Sequence, residues 1–269
     1  KILGLTRNQE SLFSLMSVGQ NSANLYVSRI GYPAGMFYGF IFDGIYQVED
    51  FDQSSSGKYT LKSPLPTNGS SREDIQPGHI KYKDLNEDGV VDTKDMSIIG
   101  RGQPIHTGGF SNNFSYKGFY LNVFLQWSYG NDIFNANRMM FDGNYINLYN
   151  VNQYASGNDR WTPENRSNTL FKVGGQGPAG NFSNRVIEDG SYLRLKTVSL
   201  AYTIPSSVTK RLKVNKINFR VAAQNLLTFT KYTGMDPEVS VRHSVLTPGL
   251  DYSPYPQART ITFGLNVTP

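Results

Sequence analysis

Four stretches of this 269-residue chain alternate strictly between two kinds of side chain, and that period of two constrains them to extended strands with unlike faces. Phe119, Leu121, Val123, Leu125 and Trp127 share one face, with Tyr120, Asn122, Phe124 and Gln126 on the other. Just before them, Phe110, Asn112, Phe114 and Tyr116 alternate with Ser111, Asn113 and Ser115. Lys117-Gly118 lies between the two runs and reads as a short hairpin turn. Further on, Ile217, Phe219, Val221 and Ala223 oppose Asn218, Arg220, Ala222 and Gln224. The last run sets Ile261, Phe263, Leu265 and Val267 against Thr260, Thr262, Gly264 and Asn266.

The stretch from Tyr192 to Ile204 breaks the rule. Leu193 and Leu195 sit on one parity, while Val198, Leu200 and Tyr202 sit on the other. Either a β-bulge shifts the phase, or the strand passes into a differently solvated zone, and the residues leave both readings open. Long polar segments separate the strands. Residues 47–79 are rich in Ser, Gly, Pro and Asp; residues 131–185 carry Asn, Gly and several aromatics, with a short helix expected near 133–140. Loops of this length are unusual inside a compact soluble domain, but ordinary on the outer side of a transmembrane β-barrel.

Strands long enough for the roughly 9–11 residues that a membrane strand needs point the same way. So do aromatics near their ends, Tyr116, Trp127, Tyr129, Tyr202, Phe229 and Tyr232, which suit an interfacial girdle. The competing fold is a soluble β-sandwich, whose strands also alternate. Its outer face normally carries more charge than Asn122, Gln126 and Asn218 supply, and only 17% of this chain is charged against 13% aromatic.

Other classes drop out on composition. No apolar run approaches the roughly 18 residues of a transmembrane helix, and residues 1–15 do not read as a signal peptide. The absence of cysteine removes disulfides and thiolate metal sites. Net charge is a modest +5, and its densest basic run, Lys210-Arg211-Leu212-Lys213, reads as a solvated turn with no nucleic-acid role.

The sharpest chemical motif spans Asp84 to Asp95. Asp84, Asn86 and Asp88 supply hard oxygens at positions one, three and five, and Gly89 permits the bend at six. Val90 offers a carbonyl, Asp92 a direct or water-mediated contact, and Asp95 the closing carboxylate, where Glu is more usual. This spacing predicts a structural Ca²⁺ site; the bland alternative is an Asp/Asn/Gly turn without metal.

Catalytic patterns are weak. Gly175, Gly177 and Gly180 fit G-x-G-x-x-G, but Pro178 interrupts them and no strand-to-helix context surrounds them. His79, His106 and His243 are scattered. The neighbouring acids Glu49-Asp50 and Glu188-Asp189 would diverge on a strand. Tyr145, Tyr149, Tyr154 and Trp161 could stack on sugars, though loop aromatics more often pack their own loop. No enzymatic constellation is expected.

With these residues in view, the chain resembles the C-terminal part of the SusC/RagA family of TonB-dependent outer-membrane transporters of Bacteroidetes. The resemblance runs in order through Gly31-Tyr32-Pro33, Met36-Phe37-Tyr38-Gly39-Phe40 and Asp43-Gly44-Ile45-Tyr46. It continues through Pro77 to Asn86, Asp88-Gly89, Ile99-Gly100, Tyr116 to Phe119 and Tyr129-Gly130-Asn131. Ser191 to Lys196, Gln224-Asn225-Leu226, Thr230 to Gly234 and Asp236-Pro237-Glu238 complete it. Each segment is weak alone; the ordered set is specific. The chain departs from the family at His79, often Asp, at Glu87, usually Gly, and at Pro269, where the family usually ends on an aromatic.

The resemblance implies an all-β membrane fold: residues 1–269 as the C-terminal part of a large antiparallel transmembrane barrel of about 22 strands. Residues 47–101 would be an extracellular loop region holding the calcium-type loop 84–95. The plug domain and the earlier strands are expected outside this chain, so the remainder of the same barrel should close it, since open backbone edges are prohibitive in lipid. The implied function is TonB-dependent import of oligosaccharides or oligopeptides across the bacterial outer membrane. Its partners would be a SusD-like surface lipoprotein, TonB and the lipid bilayer, and no nucleic acid. The alternative from another class is a secreted, calcium-stabilised β-sandwich that binds or hydrolyses glycans. A third is a small passive porin.

Overall fold

A computed structural model describes residues 10–18, 21–142, 152–178, 181–241 and 244–269. Tyr145, Tyr149, Gly180 and His243 lie outside the described residues. In chain order the strands are β1 (Glu10–Val18), β2 (Asn21–Arg29), β3 (Met36–Gly39), β4 (Phe42–Ile45), β5 (Phe51–Gln53), β6 (Tyr59–Leu61), β7 (Ile80–Tyr82) and β8 (Ser97–Arg101). They continue with β9 (His106–Tyr116), β10 (Phe119–Tyr129), β11 (Asp132–Asn135), β12 (Ile187–Asp189), β13 (Tyr192–Thr203), β14 (Lys216–Thr230), β15 (Leu250–Asp251) and β16 (Thr260–Thr268). Two short helices interrupt them, α1 (Ala136–Phe141) and α2 (Ser206–Thr209). Among the described residues, no helix is long and apolar enough to cross a membrane.

The chain divides into two compact units. One comprises residues 104–131, 189–239 and 254–269. It is a single antiparallel sheet in the order β16-β14-β13-β10-β9. Strands β9 and β10 meet in the two-residue turn expected from sequence. Lys117 and Gly118 have φ of 45° and 85°, the left-handed pair that matches the twist of a hairpin. The register then runs without interruption, Phe119 opposite Tyr116 and Tyr129 opposite His106.

The phase break in β13 is a bulge. Phe124 pairs with Thr197 and Leu125 with Leu195, leaving Lys196 as the extra residue, and the β13–β14 register shifts at the same place. A bulge lets two successive residues project to one side. Here Lys196 and Thr197 do so, and Val198 returns to the side of Leu195.

The other unit takes residues 1–103, 132–188 and 240–253. It holds a four-stranded sheet, β1-β2-β3-β8, and small pairs β4-β7 and β5-β6. The segments that read as polar loops in sequence therefore carry their own strands and their own core. Ile45, Ile80, Tyr82, Trp161 and Phe171 pack in one cluster, and Tyr46, Phe51, Leu61 and Ile75 in another. The short helix expected near 133–140 begins later, because Asp132–Asn135 pairs as β11 first. Asn135 caps it, its side-chain oxygen accepting the Arg138 N–H at 3.0 Å.

Glycine matters where aromatic rings press on backbone. Gly78 has φ of +88°, and an added Cβ would meet Trp161 at 2.5 Å. Trp161, 5% exposed, donates Nε1–H to Gln47 Oε1 at 2.9 Å, so it packs across to the 47–79 stretch and away from solvent.

Candidate functional site

The β9–β16 sheet has two unlike faces, because residues directly opposite in register share a side. Leu121 sits between Phe114 and Leu200, Val123 between Asn112 and Val198, and Val221 between Leu200 and Phe263. One face is therefore an apolar band interrupted by Asn112. Unlike an ordinary core face it is uncovered: Phe110 is 55% exposed, Phe114 58%, Ile261 55% and Phe263 78%. Among the described residues, the buried hydrophobic side chains of this unit are Tyr192 and Tyr232 alone. A sandwich would cover such a face with a second sheet. An exposed apolar surface this extensive marks a membrane or partner contact.

Aromatics bound the band at both strand ends. At the turn end, Phe119 and Tyr202 lie with ring centroids 4.4 Å apart, beside exposed Tyr116. At the far end, Trp127 lies over Gly108, donates Nε1–H to His106 Nδ1 at 3.1 Å, and neighbours His106 stacked on Tyr129 at 5.1 Å. Phe229 is exposed as well. Tyr232 is the exception to the expected girdle. It is buried beneath Gly234, where a Cβ would strike its ring at 2.4 Å.

The opposite face carries hydroxyls and amides: Ser111, Asn113 and Asn122, then Ser199, Asn218 and Thr262. Asn122 donates to Asn113 Oδ1 at 2.8 Å, and Asn218 to Thr203 Oγ1 at 2.9 Å. Its most organised feature is a charged cluster at the far end. Arg194, 2% exposed, donates Nε–H to Thr228 Oγ1 at 3.0 Å, one terminal N–H to Glu238 at 2.9 Å and another to Asp236. Its guanidinium lies 5.3 Å over the Tyr192 ring. The bulge brings Lys196 to the same carboxylate, Nζ to Glu238 Oε2 at 3.0 Å.

Asp236 also accepts backbone N–H from Glu238 and from Gln257, each at 2.9 Å. It thereby ties both legs of the β14–β16 connection to the sheet. Burial opposes ionisation of Asp236, but those two N–H donors and Arg194 outweigh it and hold the carboxyl below its ordinary value. Two cations meet two carboxylates, so the cluster fixes geometry. Ser191–Lys196 and Asp236–Glu238 are separate segments in sequence, and the fold joins them.

In the other unit, residues 84–95 close on themselves. Asp84 accepts N–H from Glu87 and Gly89, each at 2.7 Å, Asn86 from Asp88 at 3.0 Å, and Asp88 from Val90 at 2.9 Å. Asp92 accepts from Lys94 at 2.7 Å. Fully buried Asp95 accepts from Leu85 and Asp92, each at 2.8 Å, stapling the end of the loop to its start. Gly89 takes φ of +83°, as the sixth position requires. The donor set is all oxygen, the chemistry Ca²⁺ takes. In this arrangement Lys94 Nζ stands 3.5 Å from Asp92 and 3.9 Å from Asp88. Among the described residues, no three acidic, histidine or cysteine side chains converge as a metal cluster.

The remaining motif residues have structural partners. Gly175 accepts the Ile80 N–H at 2.7 Å, and Gly177 packs against Ile80 and Asn68. Glu49 pairs with Arg166, and Asp50 caps Gln47. Glu188 accepts from Asn135 and Arg138, whereas Asp189 accepts the Ser191 N–H. His79 is half-buried; its partial burial, aided by the charge of Lys172, pushes its pKa down to about 4.

No family profile matches the chain. It is 34% identical over 249 residues to TonB-dependent receptor P3 of Formosa agariphila, covering 90% of this chain and 23% of that protein. It is 25% identical over 254 residues to TonB-dependent receptor SusC of Bacteroides thetaiotaomicron, covering 92% and 20%. The chain thus spans about a quarter or less of the curated relatives it matches. In fold it matches the RagAB peptide transporter with a TM-score of 0.63 at 24% identity, over 90% of this chain and 24% of that one. The RagAB peptide importer in its open-open state gives the same score and identity over 96% and 24%.

Proposed function

We propose that this chain, a SusC/RagA-like segment of a TonB-dependent transporter, serves energised nutrient import across the bacterial outer membrane. Its β9–β16 sheet would form part of the wall of a transmembrane barrel. The observation that carries this reading is the sheet's pair of faces, one an exposed apolar band between aromatic belts, the other hydroxyl, amide and paired charge. The first suits lipid and the second a water-filled lumen. Strands β9 and β16 are the outer strands of this sheet, and in hydrocarbon their free edges would need partners. The remainder of the same barrel is the natural source.

On this reading the cargo is an oligosaccharide or an oligopeptide, the latter in line with the name of the RagAB peptide importer. A SusD-like lipoprotein would work at the outer mouth, and TonB would engage another part of the same protein. The protein changes access, so no chemistry on the cargo is required. For residues 84–95 within the proposed extracellular region 47–101, we propose a structural Ca²⁺ held by Asp84, Asn86, Asp88, Val90, Asp92 and Asp95, taking over the counter-charge role of Lys94. The all-oxygen donors at positions one, three and five and the bend at Gly89 support this.

The test is uptake by cells carrying the whole receptor. Labelled oligosaccharide or oligopeptide should accumulate only with functional TonB, and the receptor should need detergent to leave the membrane. Uptake indifferent to TonB, or a protein that stays soluble without detergent, would overturn the reading.

A further inference from the structure

The turn end of the β9–β16 sheet carries a charge imbalance that the transport reading does not use. Register brings three connections together there. The β9–β10 turn touches the end of β13 through Thr203 N–H to Gly118 O at 2.8 Å, and Ile204 N–H bonds Ile217 O at 3.0 Å where β14 begins. Lys117, Lys210, Arg211, Lys213 and Lys216 all lie at this end and all are exposed. No acidic residue of the neighbouring sheet segments accompanies them: residues 104–131, 190–235 and 254–269 contain no Asp or Glu.

The cations stand beside apolar anchors. Lys117 Nζ lies 5.2 Å over the ring of Tyr116, an aromatic of the belt at this end. In the β13–β14 connection, Val208 is 45% exposed and Leu212, between Arg211 and Lys213, is 59% exposed. Apolar side chains that can enter a bilayer, with long cationic ones just beyond an aromatic belt, are the pattern of an interfacial anchor. This end also has the shorter connections, against the long ones at residues 130–191 and 231–259. In transmembrane barrels short turns face the periplasm, where the adjoining leaflet is phospholipid.

We propose that this basic edge binds anionic phospholipid headgroups of the inner leaflet of the outer membrane. The inference rests on the membrane reading above. The basic run that looked like a solvated turn in sequence thus faces a charged surface. Each basic side chain near an anionic surface strengthens attraction by about five-fold, and the effect falls off within a Debye length.

The test uses the whole receptor in nanodiscs of phosphatidylethanolamine with or without phosphatidylglycerol, reading co-purified lipid by mass spectrometry. The native protein should enrich phosphatidylglycerol, and K210Q/R211Q/K213Q should lose about five-fold of that enrichment per charge removed, most strongly at low salt. K117Q, in a separate turn, should lose one step, and K210R/R211R/K213R should keep the native value. Equal enrichment in native and glutamine variants overturns the proposal, as does a preference for lipopolysaccharide that the variants weaken instead. Failure of the native receptor to enter either nanodisc would overturn the membrane reading itself.

Discussion

Replacing Arg194 with Met removes the more deeply buried of the two cations in the polar cluster while keeping an unbranched stem of similar length. Arg194 and Asp236 have side chains 2% and 5% exposed, so little water is available to replace the lost partner. Breaking a buried pair from one side costs about 3–5 kcal/mol. Asp236 keeps the N–H groups of Glu238 and Gln257, which places the expected loss near the lower end, about 3 kcal/mol. Glu238 is 32% exposed and retains Lys196, so its share is about 0.5–1 kcal/mol. Removing both partners should hurt less than the sum: R194M/D236N should show a coupling of about 2 kcal/mol. The assay is unfolding of the whole receptor in detergent, together with protease cleavage between residues 231 and 259. The native connection should resist cleavage and the R194M connection should be cut faster. An R194M receptor within about 0.5 kcal/mol of native, or a strictly additive double variant, would refute the claim that this pair holds the connection on the sheet.

Acid should release the same connection. Asp236 has a folded pKa below its ordinary 3.8, so the unfolded state binds its proton first. The stabilisation is complete above about pH 4 and is lost as pH falls through the lower folded value; cleavage rate against pH reads it, and D236N should flatten the curve. His79 loses stability in a higher window. Its folded pKa of about 4 lies below the ordinary 6.5, so the unfolded state is protonated first and stability falls as pH drops from 6.5 towards 4. H79Q should remove that slope from a pH titration of the melting temperature. G78A should cost about 2 kcal/mol or more, since its Cβ strikes Trp161 on top of a left-handed φ. G57A, with φ of +82° but no atom closer than 4.0 Å, should cost only about 1 kcal/mol of backbone strain. Ca²⁺ should protect residues 84–95 from proteolysis, chelator should reverse it and D84N should abolish it; identical cleavage with and without Ca²⁺ would retire the metal.

Much of the sheet was legible because alternation is local. Side-chain parity assigned the faces of β9, β10, β14 and β16, and Lys117-Gly118 announced its turn. The break at Lys196 was visible as a phase slip, but its cause was not, because a bulge is defined by the partner strand and pairing is a long-range fact. For the same reason nothing local links Arg194 to Asp236, 42 residues away. Tyr232 was misplaced in the belt: its position near a strand end is what a girdle needs, and only tertiary contact with Gly234 shows it buried. The polar stretches 47–79 and 131–185 hid a core, since Phe51, Leu61, Ile75, Trp161 and Phe171 are spaced irregularly among Ser, Gly and Asn. Periodicity cannot report a core built from short strands and turns.

The two faces themselves can be measured directly, because these 269 residues contain no cysteine and any elsewhere in the receptor can be replaced first. Single cysteines placed from residue 119 to 129 and from 192 to 203 of the whole receptor in bilayers would carry spin labels. Collision with oxygen reports lipid, and collision with a water-soluble nickel complex reports the lumen. Odd positions of β10 should favour oxygen and even positions nickel. In β13 the oxygen-favouring positions should be 193 and 195, then 198, 200 and 202, changing parity across Lys196. Labels that show no alternation, or that keep one parity through Lys196, would contradict a bulged, two-faced wall between lipid and water.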